Sequence, residues 1–262
     1  MSNESIRAAF ASGNGKAFIP FVTCGDPDLE TTRELVLALQ DAGADVIELG
    51  IPFSDPTAEG PVIQGANLRA LQGGVTTDTI LDFVAGMRDE VRVPLVFMTY
   101  GNIVFHYGIE RFCERAQAAG VDGLILPDTP FEEKDEFAPA CAAHDIAYIS
   151  LIAPTSADRV AMIAREAEGF VYCVSSLGVT GTRDAITTDI DALVANVRAA
   201  TDVPVAVGFG ISTPEQAANM AAKSDGAIVG SALVKLVAAH GRSAAAPVRA
   251  LAADLAAAVH AS

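Results

Sequence analysis

The stretch Ala42-Gly43-Ala44-Asp45-Val46-Ile47-Glu48-Leu49-Gly50 contains one complete junction from a helix into a strand. Its glycine is typical of a helix C-terminus, and the apolar pair after it is typical of a buried strand. Similar junctions recur as Ala119-Gly120-Val121-Asp122 and Ser224-Asp225-Gly226-Ala227. This repeat predicts that several strands begin at one edge of the same sheet, so the junctions carry information about the fold rather than about chemistry.

Short β-branched runs alternate with alanine-rich amphipathic segments along the chain. Strands are predicted at Phe18–Thr23, Val46–Gly50, Leu95–Tyr100, Gly123–Leu126, Ala147–Ile152, Phe170–Val174, Val205–Val207 and Ala227–Val229. Helices are predicted at Leu29–Ala42, Ile109–Ala119, Phe131–His144, Ala157–Ala167, Ile190–Ala199, Pro214–Ala222 and Ala244–His260. A broken helical region is predicted over residues 61–90, and an amphipathic segment, Ser5–Ser12, precedes the first strand.

Eight β-α units in a chain of this length favour a closed (β/α)8 TIM barrel with an extra N-terminal helix. The strand runs are mostly apolar, as expected for parallel strands that are covered on both faces. A doubly wound open sheet is the alternative, but no GxGxxG follows the first strand. No low-complexity linker divides the chain, so we expect one domain over residues 1–262.

Charge excludes several classes of protein. The chain has 33 acidic and 17 basic residues and a net charge of -16, which argues against nucleic-acid binding. No apolar run approaches the roughly 20 residues of a membrane span, and the N-terminus lacks the features of a secretory signal, so we expect a cytoplasmic protein. The acidic excess and the few lysines favour adaptation to a high-salt cytoplasm over an ordinary acidic surface.

The four cysteines are scattered along the chain at Cys24, Cys113, Cys141 and Cys173. Because no CxxC pair occurs, they predict buried reduced thiols rather than a disulfide framework or a zinc site. No histidine is paired with a carboxylate or cysteine at metal or triad spacing, so no metal is expected.

Three glycine-rich loops follow the sixth, seventh and eighth strands, and they are Gly178-Val179-Thr180-Gly181, Gly208-Phe209-Gly210-Ile211-Ser212 and Gly230-Ser231-Ala232-Leu233. Phosphates in barrels often bind after the last strands, where glycines let backbone N–H groups approach an anion. The N-terminus of the following helix adds its positive end. The loops therefore predict a phosphate site, to which Ser212 and Ser231 would add hydroxyl donors, although tight turns with nothing bound are the alternative.

Glu48 is the strongest candidate for an acid/base group, because it ends the second strand among apolar neighbours. Partial desolvation would raise its pKa towards neutrality. The alternative is a structural salt bridge to a neighbouring loop. Asp55 and Glu59 follow in the loop, while Asp128 is interpreted as the N-cap of the next helix. Tyr100, Asn102 and Tyr172 supply ring walls and hydrogen bonds for a planar substrate, or are ordinary core residues.

Five segments carry a resemblance to a known family, namely Pro20-Phe21-Val22-Thr23-Cys24-Gly25-Asp26-Pro27, Glu48 to Gln64, Tyr172 to Gly181, Gly208–Ser212 and Gly230–Ser231. On these segments the chain resembles the alpha subunit of tryptophan synthase over nearly its whole length. The resemblance implies a barrel that cleaves indole-3-glycerol phosphate to indole and glyceraldehyde 3-phosphate by a retro-aldol reaction. It implies no cofactor and no lysine Schiff base in this chain.

Residue roles follow from the resemblance alone. It implies that Glu48 is the main acid/base, that the acid at position 59 accepts the indole N–H, and that Thr180 closes against position 59. Tyr100 and Tyr172 would line the indole pocket. The resemblance also implies a phosphate site formed by Gly181, Gly210, Gly230 and Ser231, with Phe209 beside it.

Glu59 departs from the family, which usually has aspartate at this position. A displacement of about 1 Å in a positioned group can lower the rate ~10²-fold. We expect the loop to compensate for the added methylene. The alternatives are a catalytically weak subunit that mainly activates its partner, or a stand-alone lyase that releases indole.

The resemblance further implies a beta-subunit partner that carries pyridoxal phosphate and joins indole to serine in an alpha2-beta2 tetramer. Asp55, in the loop over residues 52–56, would face this partner. The loops over residues 50–60 and 175–188 would close over the substrate and exclude water.

Overall fold

The computed structural model describes residues 2–12, 14–174, 189–208 and 210–262. Within these residues the chain forms parallel strands, which are β1 (Ala17–Thr23), β2 (Ile47–Gly50), β3 (Leu95–Met98), β4 (Gly123–Ile125), β5 (Ala147–Tyr148), β6 (Ser150–Ile152), β7 (Val171–Val174), β8 (Val205–Gly208) and β9 (Gly226–Val229). They lie in one sheet in the order β5-β4-β3-β2-β1-β9-β8-β7-β6.

The α-helices cover the outside and the bottom of this sheet. They are α1 (Ser2–Ala11), α2 (Leu29–Asp41), α3 (Pro61–Gln72), α4 (Thr77–Met87), α5 (Gly101–Tyr107), α6 (Ile109–Ala118), α7 (Ala138–Ala143), α8 (Ala157–Arg165), α9 (Ile190–Arg198), α10 (Pro214–Lys223), α11 (Ser231–His240) and α12 (Ala245–His260). Short 3₁₀ helices occur at Arg88–Glu90, Phe131–Glu136 and Gly241–Ser243.

The sheet closes through the chain itself. Its two end segments, β5 and β6, are separated only by Ile149, which is buried. β5 pairs with β4 and β6 pairs with β7, so the predicted fifth strand is one run that bends at Ile149 and changes neighbours. The predicted closed (β/α)8 barrel is therefore confirmed.

Two features of the local predictions are wrong. The single helix predicted over Phe131–His144 is a 3₁₀ helix followed by α7, because Pro139 lacks an N–H and restarts the helix in its first turn. The third strand ends at Met98, and Tyr100 is instead the N-cap of α5. Helix α5 was not predicted, because its flanking glycines indicate a loop. A helix was expected after the loop at Gly230, but α11 already begins at Ser231, inside the predicted loop.

The repeated helix-to-strand junctions lie at the N-terminal edge of the barrel, as predicted. Gly43 and Gly120 adopt φ values of +101° and +78°, a region that favours glycine. Each junction aspartate accepts a hydrogen bond from the main-chain N–H of the first or second residue of a neighbouring strand. These bonds are Asp45 Oδ2 to Phe18, Asp122 Oδ2 to Leu95 and Asp225 Oδ2 to Val205, at 2.7, 3.0 and 2.9 Å.

The barrel interior is closed at the bottom and open at the top. The predicted N-terminal helix is α1, whose Ile6 and Phe10 are buried, with Phe10 stacked 5.5 Å from Phe170. Towards the C-terminal ends of the strands the interior apolar layer includes Phe21, Met98 and Tyr172. Glu48 lies opposite Phe21 in the register of β1 and β2, so its carboxyl enters this upper layer.

No helix in the described part of the chain is long and apolar enough to cross a membrane. Cys24, Cys113, Cys141 and Cys173 are buried free thiols.

Candidate active site

A pocket lies in the barrel mouth. Its lining residues are Phe21, Glu48, Glu59, Ile63, Met98, Tyr172, Gly210, Ile211, Ile228, Gly230 and Ser231. They bring together the loop after β2, the loop after β8 and the start of α11. Among the site residues predicted from sequence, Thr180, Gly181 and Phe209 lie outside the described residues.

Glu48 is almost completely withdrawn from water. It is 1% exposed, and its Oε2 has no hydrogen-bond partner among the residues described. Burial, and secondarily the charge of Glu59, raises the pKa of Glu48 to about 8. No lysine or arginine lines the described pocket, which argues against the salt-bridge alternative. A buried carboxyl with such a pKa is protonated at neutral pH and able to act as a general acid.

Glu59 enters the same pocket from the residue before the N-cap of α3. Its side chain is 6% exposed, and its Oε2 accepts a hydrogen bond of 2.6 Å from Asn67 Nδ2. Gln64 Nε2 donates to the main-chain oxygen of Glu59 at 2.7 Å. Burial raises the pKa of Glu59 to about 7, and the bond from Asn67 opposes that rise. The carboxylate is therefore fixed at its tip as well as at its backbone.

The two tyrosines have different positions. Tyr172 lines the pocket, and burial together with the nearby Glu48 raises the pKa of its phenol well above the ordinary range. Tyr100 is buried beside the pocket, where its hydroxyl accepts a hydrogen bond of 3.1 Å from the N–H of Ala58. Tyr100 also packs against Phe53 at 5.0 Å, so it holds the loop that carries Glu59.

Another part of the pocket wall consists of backbone suited to an anion. Gly210 adopts φ +83°, and Gly230 is the N-cap of the ten-residue helix α11, whose first residue is Ser231. The first N–H groups of a helix have no intrahelical acceptor, and this end of the helix carries partial positive charge. Ser212 was predicted as a further donor, but it does not line the pocket, and its hydroxyl bonds Gln216 Oε1 at 3.0 Å.

Asp128 does not cap the helix that follows it, so that prediction is wrong. The N-cap of the 3₁₀ helix Phe131–Glu136 is Pro130, and Asp128 Oδ1 instead accepts a hydrogen bond of 2.9 Å from the N–H of Gly101. It thereby caps α5 across the mouth. Asn102, on the same helix, is exposed and does not line the pocket.

Sequence reasoning missed several residues of the site. The apolar walls formed by Ile63, Met98, Ile211 and Ile228 were not predicted, because in the sequence an apolar residue that lines a pocket is indistinguishable from a core residue. Asn67 was also missed, since eight positions separate it from Glu59 and no local pattern joins them. The described residues contain no cluster of three or more histidine, cysteine or acidic side chains suited to a metal.

The rim of the mouth has an exposed segment. Asp55 is exposed in the loop after β2, and Phe105, on α5, is 61% exposed. Large apolar side chains with this exposure are few, since Leu68 is the other one among the described residues.

Comparisons with known proteins agree with this geometry. A family model described as tryptophan synthase alpha chain matches residues 8–260. The tryptophan synthase alpha chain of Lacticaseibacillus casei is 53% identical over 86% of this chain and 85% of that protein. That of Caldanaerobacter subterraneus subsp. tengcongensis is 50% identical over 85% of each.

Solved structures superpose on nearly the whole chain. Tryptophan synthase subunit alpha from Legionella pneumophila is 36% identical, covers 98% of both chains and gives a TM-score of 0.89. A tryptophan synthase structure from Mycobacterium tuberculosis is 37% identical, covers 99% of this chain and 96% of that one, and gives a TM-score of 0.86.

The buried Glu48 makes a testable contribution to stability. Because its folded pKa of about 8 lies above the ordinary value of 4.5, the folded chain keeps a proton that the unfolded chain releases. This contribution is present at low pH and is lost as pH rises towards 8. Glu48→Gln should therefore gain stability relative to wild type, by roughly 3–5 kcal/mol between pH 5 and pH 9.

Urea unfolding at the two pH values measures this difference. The exposed Glu133→Gln, which makes the same chemical change at the surface, serves as the control. A pH-independent difference for Glu48→Gln would show that Glu48 ionises normally in the folded chain.

Proposed function

This chain belongs to the tryptophan synthase alpha chain family, and we propose that the pocket in its barrel mouth is where the family's reaction occurs. Members of the family cleave indole-3-glycerol phosphate to indole and glyceraldehyde 3-phosphate, so the chain is a carbon–carbon lyase of tryptophan biosynthesis. The residue roles, the partner and the cellular setting given below are proposals.

One observation carries the assignment of the site: a buried carboxyl and a helix N-terminus face one pocket. Glu48 lines it from β2, while Gly230 and Ser231 line it from the start of α11. The substrate correspondingly has two parts, an indole ring and a phosphate. Helix α11 and Gly210 would bind the phosphate through backbone N–H groups, without a lysine.

The reaction needs proton transfer at two places on the substrate. Glu48, as the acid, would protonate indole C3, and the ring would become an electron sink. Glu48, as the carboxylate, would then remove the proton from the glycerol hydroxyl on the carbon attached to C3. A carbonyl forms there, the carbon–carbon bond breaks, and its electron pair restores the indole ring. Proton transfer of this kind typically contributes 10²–10⁴-fold.

Glu59 would accept a hydrogen bond from the indole N–H and stabilise positive charge that develops on the ring. Tyr172 would form one wall of the indole pocket. Tyr100 would support that pocket by holding the loop that carries Glu59. Thr180, Gly181 and Phe209, outside the described residues, are proposed for loop closure, phosphate binding and the phosphate wall on the resemblance alone.

The rim around Asp55 and Phe105 is proposed as the contact surface for a beta subunit. The solved relatives include a structure described as the tryptophan synthase complex from Pyrococcus furiosus, which supports a partner of this type. We propose an alpha2-beta2 tetramer in which pyridoxal phosphate belongs to the beta subunit and this chain carries no cofactor. Turnover at the full rate without a beta subunit would instead favour a stand-alone lyase.

The chain is proposed to be one barrel domain over residues 1–262 that works in the cytoplasm at high salt. The net charge of -16 supports the salt proposal, since carboxylates keep a protein hydrated and soluble. Cleavage measured against KCl concentration should rise with salt, and full activity without salt would contradict it.

Replacing the acid/base group tests the proposed function. Glu48→Gln keeps the size of the side chain and removes its proton transfer, so kcat should fall by about 10²–10⁴-fold. The assay is release of indole from indole-3-glycerol phosphate, with Glu133→Gln as the control of equal chemistry at an exposed site. Cleavage by Glu48→Gln at the wild-type rate would remove Glu48 from the mechanism.

A charge at the rim tests the partner surface. Phe105→Asp should weaken binding of the beta subunit by about tenfold or more, because a desolvated aromatic contact is lost. Leu68→Asp, at the other large apolar residue that is exposed among the described residues, is the matched control, because it lies about two turns after the start of α3. Calorimetric titration with the beta subunit measures both variants. Equal effects would show that the rim is not the contact surface.

A further inference from the structure

Asn67 is a buried amide that donates a hydrogen bond to the carboxyl of Glu59. It is 3% exposed, and its Nδ2 lies 2.6 Å from Oε2 of Glu59, which is itself 6% exposed. The helix that carries Asn67 is fixed in place, since Arg69 forms a two-bond fork with the buried Asp26 at 2.7 Å for each bond. The amide is therefore held against the carboxyl by the barrel, not by a flexible loop.

Glu48 and Glu59 form a pair that cannot easily carry two charges. Both carboxyls line one pocket, both are buried, and no cation lines that pocket in the described residues. Two carboxylates that share a water-poor site compete for one proton and titrate as a coupled pair. What fixes the chemistry is therefore which of the two holds the proton.

The hydrogen bonds around the two carboxyls differ. An amide –NH₂ group has only donors, so it stabilises a carboxylate more than a carboxylic acid. Glu59 receives such a donor from Asn67, while Oε2 of Glu48 receives none from any described residue. The surroundings therefore favour the charge on Glu59 and the proton on Glu48.

We propose that Asn67 is a positioning residue that keeps Glu59 ionised and so leaves the proton of the pair on Glu48. The inference rests on the proposed roles of the two glutamates and adds the group that assigns those roles. An ionised Glu59 is a stronger acceptor for the indole N–H than a neutral one, and only a protonated Glu48 delivers a proton to C3. The reversed arrangement has the same total charge, but it leaves Glu48 without that proton and Glu59 as the weaker acceptor.

Asn67 also offers a reason why the longer Glu59 is tolerated where the family usually has aspartate. The carboxyl of Glu59 ends on an amide of α3 rather than in open space, and its second oxygen is left for the substrate. The added methylene is thus held by a defined contact.

Other titratable groups lie near the two glutamates, but none of those described places an unpaired positive charge beside them. The phenols of Tyr100 and Tyr172 lie beside the carboxyls and are driven further towards the neutral form by their burial. A wider cleft that borders Glu59 is also lined by Asp128, Tyr148, Lys134 and Arg159. Its two cations are engaged with Glu166 and Glu132 respectively.

Asn67→Leu tests the inference, because leucine has nearly the same volume and no donor. The pKa of Glu59 should rise and that of Glu48 should fall, as followed by ¹³C NMR titration of glutamate carboxyls assigned with Glu48→Gln and Glu59→Gln. Loss of a hydrogen bond to a charged group should lower kcat by about 10- to 100-fold, with KM changed much less. The acid limb of the kcat profile should move to higher pH.

Gln64→Leu is the matched control, since it removes a side-chain hydrogen bond to the main-chain oxygen of the same Glu59. It should leave both carboxyl titrations at their wild-type positions. Asn67→Ala provides a second variant that removes the donor and adds no charge, and it should raise the pKa of Glu59 even where Asn67→Leu folds poorly.

The outcomes separate this inference from the function on which it rests. Carboxyl titrations that stay at wild-type positions in both Asn67 variants overturn the inference, even if Glu48→Gln and Glu59→Gln are inactive. Full cleavage by both glutamine variants overturns the proposed roles of the glutamates, whatever Asn67 does to their titration.

Discussion

Two carboxyl groups buried in one pocket, with no cation among the described residues that line it, are the constraint on which the rest of the site depends. Glu48 and Glu59 are 1% and 6% exposed, and burial is the main cause of the raised pKa of each. Burying two carboxyls together is costly, and carboxyls with shifted pKa values cluster at functional sites. The proposed retro-aldol mechanism would use this pair, because one group would give and take a proton while the other stays charged.

The barrel stabilises this arrangement through hydrogen bonds at both ends of its strands. At the bottom, Asp45, Asp122 and Asp225 tie neighbouring strands together through backbone N–H groups. At the top, Tyr100 holds the loop before Glu59, and Asn67 holds its carboxyl. The N-terminus of helix α11 contributes main-chain N–H donors, so the pocket has a part suited to an anion as well as an acidic part. Rigid supports of this kind keep catalytic groups in place without help from the substrate.

The sequence predicts the fold well where the signal is periodic or local. The junction glycines and aspartates, the apolar strands and the inward-facing Glu48 of β2 all follow from patterns within about ten residues, although Glu48 is the second residue of β2 rather than its last. The bend at Ile149 was not predictable, because it depends on β5 and β6 pairing with opposite ends of the sheet. Asp128 was assigned to the wrong helix for a similar reason, since its acceptor role joins it to Gly101 across the mouth.

Predictions about the site divide in the same way. Glycine-rich loops identified Gly210, Gly230 and Ser231, whereas Asn67 requires the packing of α3 to be known. The most direct test of the central claim is a crystal structure with an indole propanol phosphate analogue bound. The account predicts the phosphate on the N–H groups of Gly210, Gly230 and Ser231, the ring nitrogen about 3 Å from the free oxygen of Glu59, and Asn67 still bonded to the other oxygen. A phosphate bound elsewhere, or a Glu59 carboxyl turned away from the ring, would contradict it.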